Sequence, residues 1–215
     1  MADKRPLFVG AGRIKEIPAS DTIADNIVGL ADTTVGAYPY YRAPISTFYY
    51  DNNPHAGVGT LAGAANRFDL APYFSPISMP INQIGCVVST AVAASTFKVQ
   101  IYSMNAAGWP DALLFESAAL SGATAAYAFS AITFTFAART GYWLGVRHSS
   151  TCTLRTNAAG SSYNLGAGTT GAQTGGLQML RRTLAFATAA PNPFAFTTAD
   201  LVGGVTPPNL RWRAV

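Results

Sequence analysis

The chain has 215 residues, only 11% of them charged, and a net charge of +4. Ordinary soluble domains carry about a quarter charged residues. Here Ala, Gly, Ser and Thr fill the gap, which excludes a disordered chain, and no run approaches the roughly 18 to 20 apolar residues of a transmembrane helix, so no membrane insertion is expected.

The opening, Met1 to Arg13, is basic with a short apolar segment, a poor secretory signal. Gly10 and Gly12 imitate the start of a dinucleotide fingerprint. However, Lys15 holds the place of the third glycine, and Pro18 leaves no room for the helix that must follow. Residues 1–32 hold half of the acids and four of the cations, and read as an N-terminal arm for anchoring and assembly. Within it Ile23, Ile27 and Leu30 fit a short helix capped by Ser20 or Asp21, and an extended arm fits as well. Residues 33–65 form a turn-rich connecting region with an aromatic knot at Tyr38, Tyr40, Tyr41, Phe48, Tyr49 and Tyr50. Those rings either cover an end of the fold, with a subunit interface as one form of that packing, or stand exposed to stack on sugars or a protein partner.

From Asn66 to Val215 the pattern is one of short strands, read from period-two alternation and β-branched or aromatic content. Ile84–Thr90 is the first good run. Phe97, Val99 and Ile101 then alternate with Lys98, Gln100 and Tyr102, which predicts a strand with one buried face. Asn105–Pro110 is a turn by its Asn, Gly and Pro. Strands follow at Ala112–Leu120, Ala126–Phe136 (Ile132, Phe134 and Phe136 sharing a side), Gly141–His148, Thr151–Thr156, Leu177–Thr188 and Leu210–Val215. This spacing predicts an all-β fold, an antiparallel β-sandwich or jelly roll with an extended N-terminal arm.

Chemistry is harder to find. From Ser117 to Ala199 there is no Asp or Glu, only five Arg among Ala, Thr, Ser, Gly and aromatics. Most mechanisms at neutral pH need a carboxylate as base, metal ligand or orienter of a His. Asp111 and Glu116 alone lie near the core strands, too few for a glycosidase pair. His55, after Asn53-Pro54, reads as a solvated turn residue, and His148 as a hydrogen-bonded strand-end residue. Neither has companions at metal-ligand spacing. Cys86 and Cys152 are too few for a disulfide framework and read as two buried free thiols, with a single bridge as the alternative. No Gly-x-Ser-x-Gly or His-Glu-x-x-His pattern is present. Gly166, Gly168 and Gly171 belong to a Gly/Thr-rich loop with no helix after it. Of the arginines only Arg181-Arg182 and Arg211-x-Arg213 cluster, which is not the basic stripe that nucleic acid demands. The expectation is a non-enzymatic chain with no catalytic, cofactor or metal residues.

The order Asn66-Arg67-Phe68, Pro72-Tyr73-Phe74, Ile84–Thr90 and Phe97–Tyr102 resembles a β-sandwich module of tailed-bacteriophage fibre and virion-surface proteins. Asn105–Pro110 with Ala112–Phe115, Gly141-Tyr-Trp-Leu-Gly145 and the ending Pro207–Val215 are similar to its turn, its central strand and its terminal strand. Asp111 departs from the glycine usual after the proline. The segment Gly12–Ile23 resembles one found near the start of phage tail and fibre proteins. The resemblance implies a sandwich displayed on a virion, commonly as a trimer, with the arm meeting other virion proteins and the sandwich contacting a host surface glycan. It carries no shared catalytic residues. Receptor contact is expected in loops, with 157–176 first because it is long, Gly-rich and uncharged. A free carbohydrate-binding module is the alternative, with Trp109, Tyr127 and Tyr163 as its stacking residues.

Overall fold

The computed structural model describes residues 7–10, 13–16, 45–52, 58–157 and 177–215. The expected segment Ser20–Leu30, the rings Tyr38, Tyr40 and Tyr41, His55 and residues 158–176 lie outside them. By compactness the chain divides into Met1–Ala43 and Pro44–Val215. In the first unit, β1 (Leu7–Gly10) and β2 (Arg13–Glu16) pair antiparallel with Gly10 opposite Arg13. A strand, not a helix, follows Gly10, so this segment is a hairpin.

The second unit is a β-sandwich of two antiparallel sheets. Its strands are β3 (Tyr49–Asp51), β4 (Val58–Ala62), β5 (Arg67–Ser75), β6 (Met79–Thr90), β7 (Thr96–Met104), β8 (Pro110–Glu116), β9 (Leu120–Ser121), β10 (Tyr127–Phe136), β11 (Thr140–His148), β12 (Thr153–Asn157), β13 (Leu177–Thr183), β14 (Leu201–Gly203) and β15 (Leu210–Ala214). The six-stranded sheet runs β3-β15-β6-β12-β4, with β10 also paired to β6. The seven-stranded sheet runs β14-β13-β5-β11-β7-β8, with β9 also paired to β7. Among the described residues there is no α-helix, and a short 3-10 turn occupies Thr198–Asp200.

Alternation puts one face of every central strand between the sheets. Phe97, Val99 and Ile101 of β7 and Tyr142, Leu144 and Val146 of β11 meet Ile81, Ile84, Cys86, Leu210 and Trp212 from the other sheet. One end of this core is aromatic: Tyr73, Phe136 and Trp212 lie with ring centroids 4.9–5.1 Å apart. These tilted and edge-on contacts add to the burial of the largest side chains in the fold.

Three expectations are corrected. The predicted one-face strand at Phe97–Tyr102 is buried on both faces, because Gln100 and Tyr102 are as completely buried as Val99. The predicted strand Ala112–Leu120 is broken: β8 ends at Glu116, and Ser117 Oγ accepts the Val99 N–H at 3.0 Å, taking a position a backbone carbonyl would hold in a ladder. The predicted strand Leu177–Thr188 stops at Thr183.

The segment after Thr183 is the reason β7 is buried on both faces. Residues 184–200 cross the outer face of the seven-stranded sheet as a strap and bury a second core there. Phe68, Leu70, Tyr102, Trp143, Leu180 and Phe194 form it, with Trp109, Leu184 and Phe196 packed alongside. The strap is tied down at intervals. Asn66 receives the Leu184 N–H on its carbonyl and the Phe186 N–H on its side chain. Tyr102 donates its hydroxyl to the Pro191 carbonyl at 3.0 Å, and the Phe194 N–H reaches the Asp111 carbonyl. Asn66 sits at φ +62, a conformation asparagine tolerates better than most residues.

Phe194 is the strap's deepest anchor, with its ring 6.0 Å from Phe68, 5.7 Å from Tyr102 and 4.4 Å from the Arg182 guanidinium. Phe194→Ala should therefore lower the urea-unfolding free energy by about 3 kcal/mol in a single transition. A loss below about 1 kcal/mol would put the strap outside the cooperative fold.

Candidate functional site

The carboxylates of the sandwich serve its architecture. Asp69, on β5 and fully buried, takes Arg181 Nε at 2.7 Å and Arg67 Nε at 2.9 Å. Glu116, at the end of β8, takes Lys98 Nζ at 2.9 Å and Arg147 Nη2 at 2.8 Å on the same oxygen. Asp200, in the 3-10 turn, accepts from Nη2 and Nε of Arg182 at 2.6 and 2.9 Å and caps the turn through the Thr197 N–H. Burial by itself would raise the Asp200 carboxyl. The hydrogen bonds from Arg182 and Thr197 and the guanidinium charge outweigh it and hold the group below the usual carboxylate range. Asp51 faces Arg211 Nε at 3.9 Å. That leaves Asp111, exposed on β8, so the sandwich offers no two uncommitted carboxylates to divide acid and base roles.

His148 ends β11 as expected, and its backbone carbonyl accepts the Asn66 N–H. Its ring corrects the expectation of a hydrogen-bonded side chain: both nitrogens are buried and without a hydrogen-bond partner. Burial first, and then the charges of Arg67 and Arg181, push the imidazole down to about 3. It is a neutral core residue at physiological pH. Among the described residues no three His, Cys, Asp or Glu side chains gather where they could share a metal ion.

Cys86 and Cys152 are both free and buried in the main core. Burial, and then the neighbouring Cys152, push the Cys86 thiol up, so it stays protonated and a poor nucleophile.

The residues expected to stack on sugars divide. Trp109 has one face covered by Phe196, centroids 3.9 Å apart and planes 10° from parallel. Tyr163 and the loop 158–176 lie outside the described residues. Tyr127 belongs to an exposed group that its sequence neighbours do not announce. On the outer face of the six-stranded sheet, register sets Tyr49, Arg213 and Gln83 in one cross-strand row and Asp51, Arg211, Gly85 and Phe129 in the next. At Gly85 the β10 backbone comes too close for a side chain, since a Cβ at this position would stand 2.0 Å from the Ala128 carbonyl oxygen. Tyr127 reaches across β6 at this point, donating its hydroxyl to the Arg211 carbonyl at 3.0 Å. Its ring meets Tyr49 edge-on at 5.2 Å and stacks on Phe129 at 5.3 Å. Tyr49 remains 50% exposed and Phe129 45%. The aromatic knot of the sequence thus divides, since Tyr50 packs against the main core while Phe48 and Tyr49 face solvent.

The state of His148 fixes a pH dependence. An unfolded imidazole titrates near 6.5. Between that pH and about 3 the unfolded chain binds a proton that the folded chain refuses, so stability falls as pH falls, by up to about 1.4 kcal/mol per unit. Urea midpoints of His148→Gln should fall less steeply than those of the parent between about pH 6.5 and 4. Identical slopes would mean that His148 is protonated or exposed in the folded chain.

The chain matches no protein-family model and no curated protein.

Proposed function

We propose that this protein is a non-enzymatic structural component of a tailed-phage particle, a fibre, spike or decoration subunit. In this reading it assembles with copies of itself, a trimer being favoured. Residues 1–32 anchor it to other virion proteins, and the β-sandwich faces outward toward the host surface. The observation that carries the non-catalytic part is the commitment of Asp69, Glu116 and Asp200 to guanidinium and ammonium partners that hold strands and strap together. Acids so committed are not free to serve as a general base.

Three of the segments on which the phage resemblance rests have structural roles, which supports the same view. Asn105 Oδ1 accepts the N–H groups of Ala107 and Trp109, and Gly108 at φ +85 completes that turn. Trp143, in the Gly141–Gly145 segment, donates its indole N–H to the Gly108 carbonyl. Leu210–Ala214 lies inside the six-stranded sheet between β3 and β6.

A second reading, a free carbohydrate-binding module, is favoured by the exposed rings of Tyr49 and Phe129.

Light scattering on the purified full-length chain should give a discrete closed oligomer. Deleting residues 1–32 should leave a folded sandwich, judged by its melting transition, that no longer enters particles. Incorporation retained after that deletion would overturn the proposal, whereas a clean monomer would favour a decoration subunit ordered only on its particle, or the free module.

A further inference from the structure

The two outer faces of the sandwich are finished differently. The chain's own strap covers the seven-stranded sheet, while the six-stranded sheet leaves the Tyr49 and Phe129 rings half-exposed, each against the partly buried Tyr127, beside two guanidinium groups. Those cations differ from the others near the core. Arg67, Arg147, Arg181 and Arg182 are each tied to a carboxylate within 3 Å. Arg213 has no side-chain hydrogen bond or ion pair among the described residues. Among the described residues Arg211 reaches only Asp51, at 3.9 Å, with its Nε making no hydrogen bond. Among the described residues the face therefore presents positive charge in excess of its single acid, set among half-exposed rings, with Gln83 and the Tyr49 hydroxyl as further polar contacts.

We propose that this face binds an acidic polysaccharide, its carboxylates meeting Arg211 and Arg213 and its sugar rings lying against Phe129 and Tyr49. The guanidinium fork matches a carboxylate, and a pyranose offers the flat array of C–H groups that an exposed ring accepts. Charge selects this occupant over two others. A second copy docked on the same face would bring four guanidinium groups against two Asp51 carboxylates. A nucleic acid, with a phosphate at every nucleotide, calls for a stripe of cations rather than two. The proposal deepens the reading of an outward-facing display domain and rests on it.

Affinity electrophoresis and calorimetry on the full-length chain test it with polygalacturonate and polysialic acid as acidic probes, dextran as a neutral one and oligo-dT as a nucleic acid. The expected result is binding to at least one acidic polymer, weakened by salt, with none to dextran. Arg213→Gln and Phe129→Ser, both on solvent-facing side chains, should each weaken that binding at least fivefold while leaving the melting temperature within a few degrees. Absence of binding to both acidic polymers overturns the proposal, as do equal binding of dextran and retention of oligo-dT above either polysaccharide. Phe129→Ser dissociating an oligomer that binds no polymer would overturn it too, and would assign the face to self-association. The free chain is tested without a particle, so failure here is separable from failure of arm-dependent incorporation.

Discussion

A guanidinium fully removed from water is the constraint around which the sandwich is organised. Arg147 points out of the central strand β11 into the space beneath the strap, with none of its side chain exposed. Such a charge costs several kcal/mol unless partners surround it. Glu116 supplies the counter-charge from β8, the Thr188 carbonyl of the strap accepts a second N–H at 2.6 Å, and Phe186 lies 5.8 Å beneath the guanidinium carbon. None of these partners is on β11, so strand, sheet edge and strap must arrive together. The same logic covers the acid-free stretch as a whole. Arg147, Arg181 and Arg182 belong to it, and their carboxylates come from outside it: Glu116 just before, Asp69 on β5, and Asp200 just after. The other two arginines of the stretch, Arg139 and Arg155, are exposed and need no such partner.

Once the strap is held, it changes what the seven-stranded sheet is. A sheet with one face in a core and one in water needs only alternation, and β7 and β11 have that. With the strap in place Tyr102 and Trp143 become interior, and Gly145 becomes necessary because a Cβ there would stand 2.8 Å from the Phe68 ring. The cost is visible in Gln100, which is completely buried with neither carboxamide atom hydrogen-bonded. An orphaned amide of this kind forfeits about 1–3 kcal/mol. The second core of aromatic and aliphatic side chains around it offsets that loss.

Much of the sandwich is legible in the sequence because strands such as β7, β11 and β15 alternate strongly. The strap is not, since residues 184–200 have no period and few large apolar groups, and their burial depends on Phe194 alone reaching deep into the sheet. The outer residues Lys98 and Gln100 also read as a solvated face, which conceals the second core. β5 runs through Pro72, normally a mark against a strand. It is tolerated because pairing with β13 ends at Leu70 and only β11 continues alongside. The candidate face is illegible for a different reason. Tyr49, Phe129, Arg211 and Arg213 are scattered over the chain, and only the register of β3, β15, β6 and β10 brings them into adjacent rows. The expectation that receptor contact lies in a long Gly-rich loop follows loop statistics, whereas a binding surface on a sheet face requires knowing which strands are neighbours.

That candidate face also shares its strands with the core that holds the fold together. β15 sends Leu210, Trp212 and Ala214 into the main core and Arg211 and Arg213 to the opposite side, so one five-residue strand anchors the fold and presents both cations. Trp212 is fixed by Tyr73 and Phe136 and donates its indole N–H to the Met79 sulfur at 3.0 Å. The rigidity of that aromatic end is transmitted directly to the positions of Arg211 and Arg213. Gly85 on β6 contributes from the other side: it lets β10 approach closely, and Tyr127 crosses the strand at that point to bond the β15 backbone. The cations and rings are thus placed by packed strands rather than by loops, which lowers the ordering cost that any ligand of this face must meet.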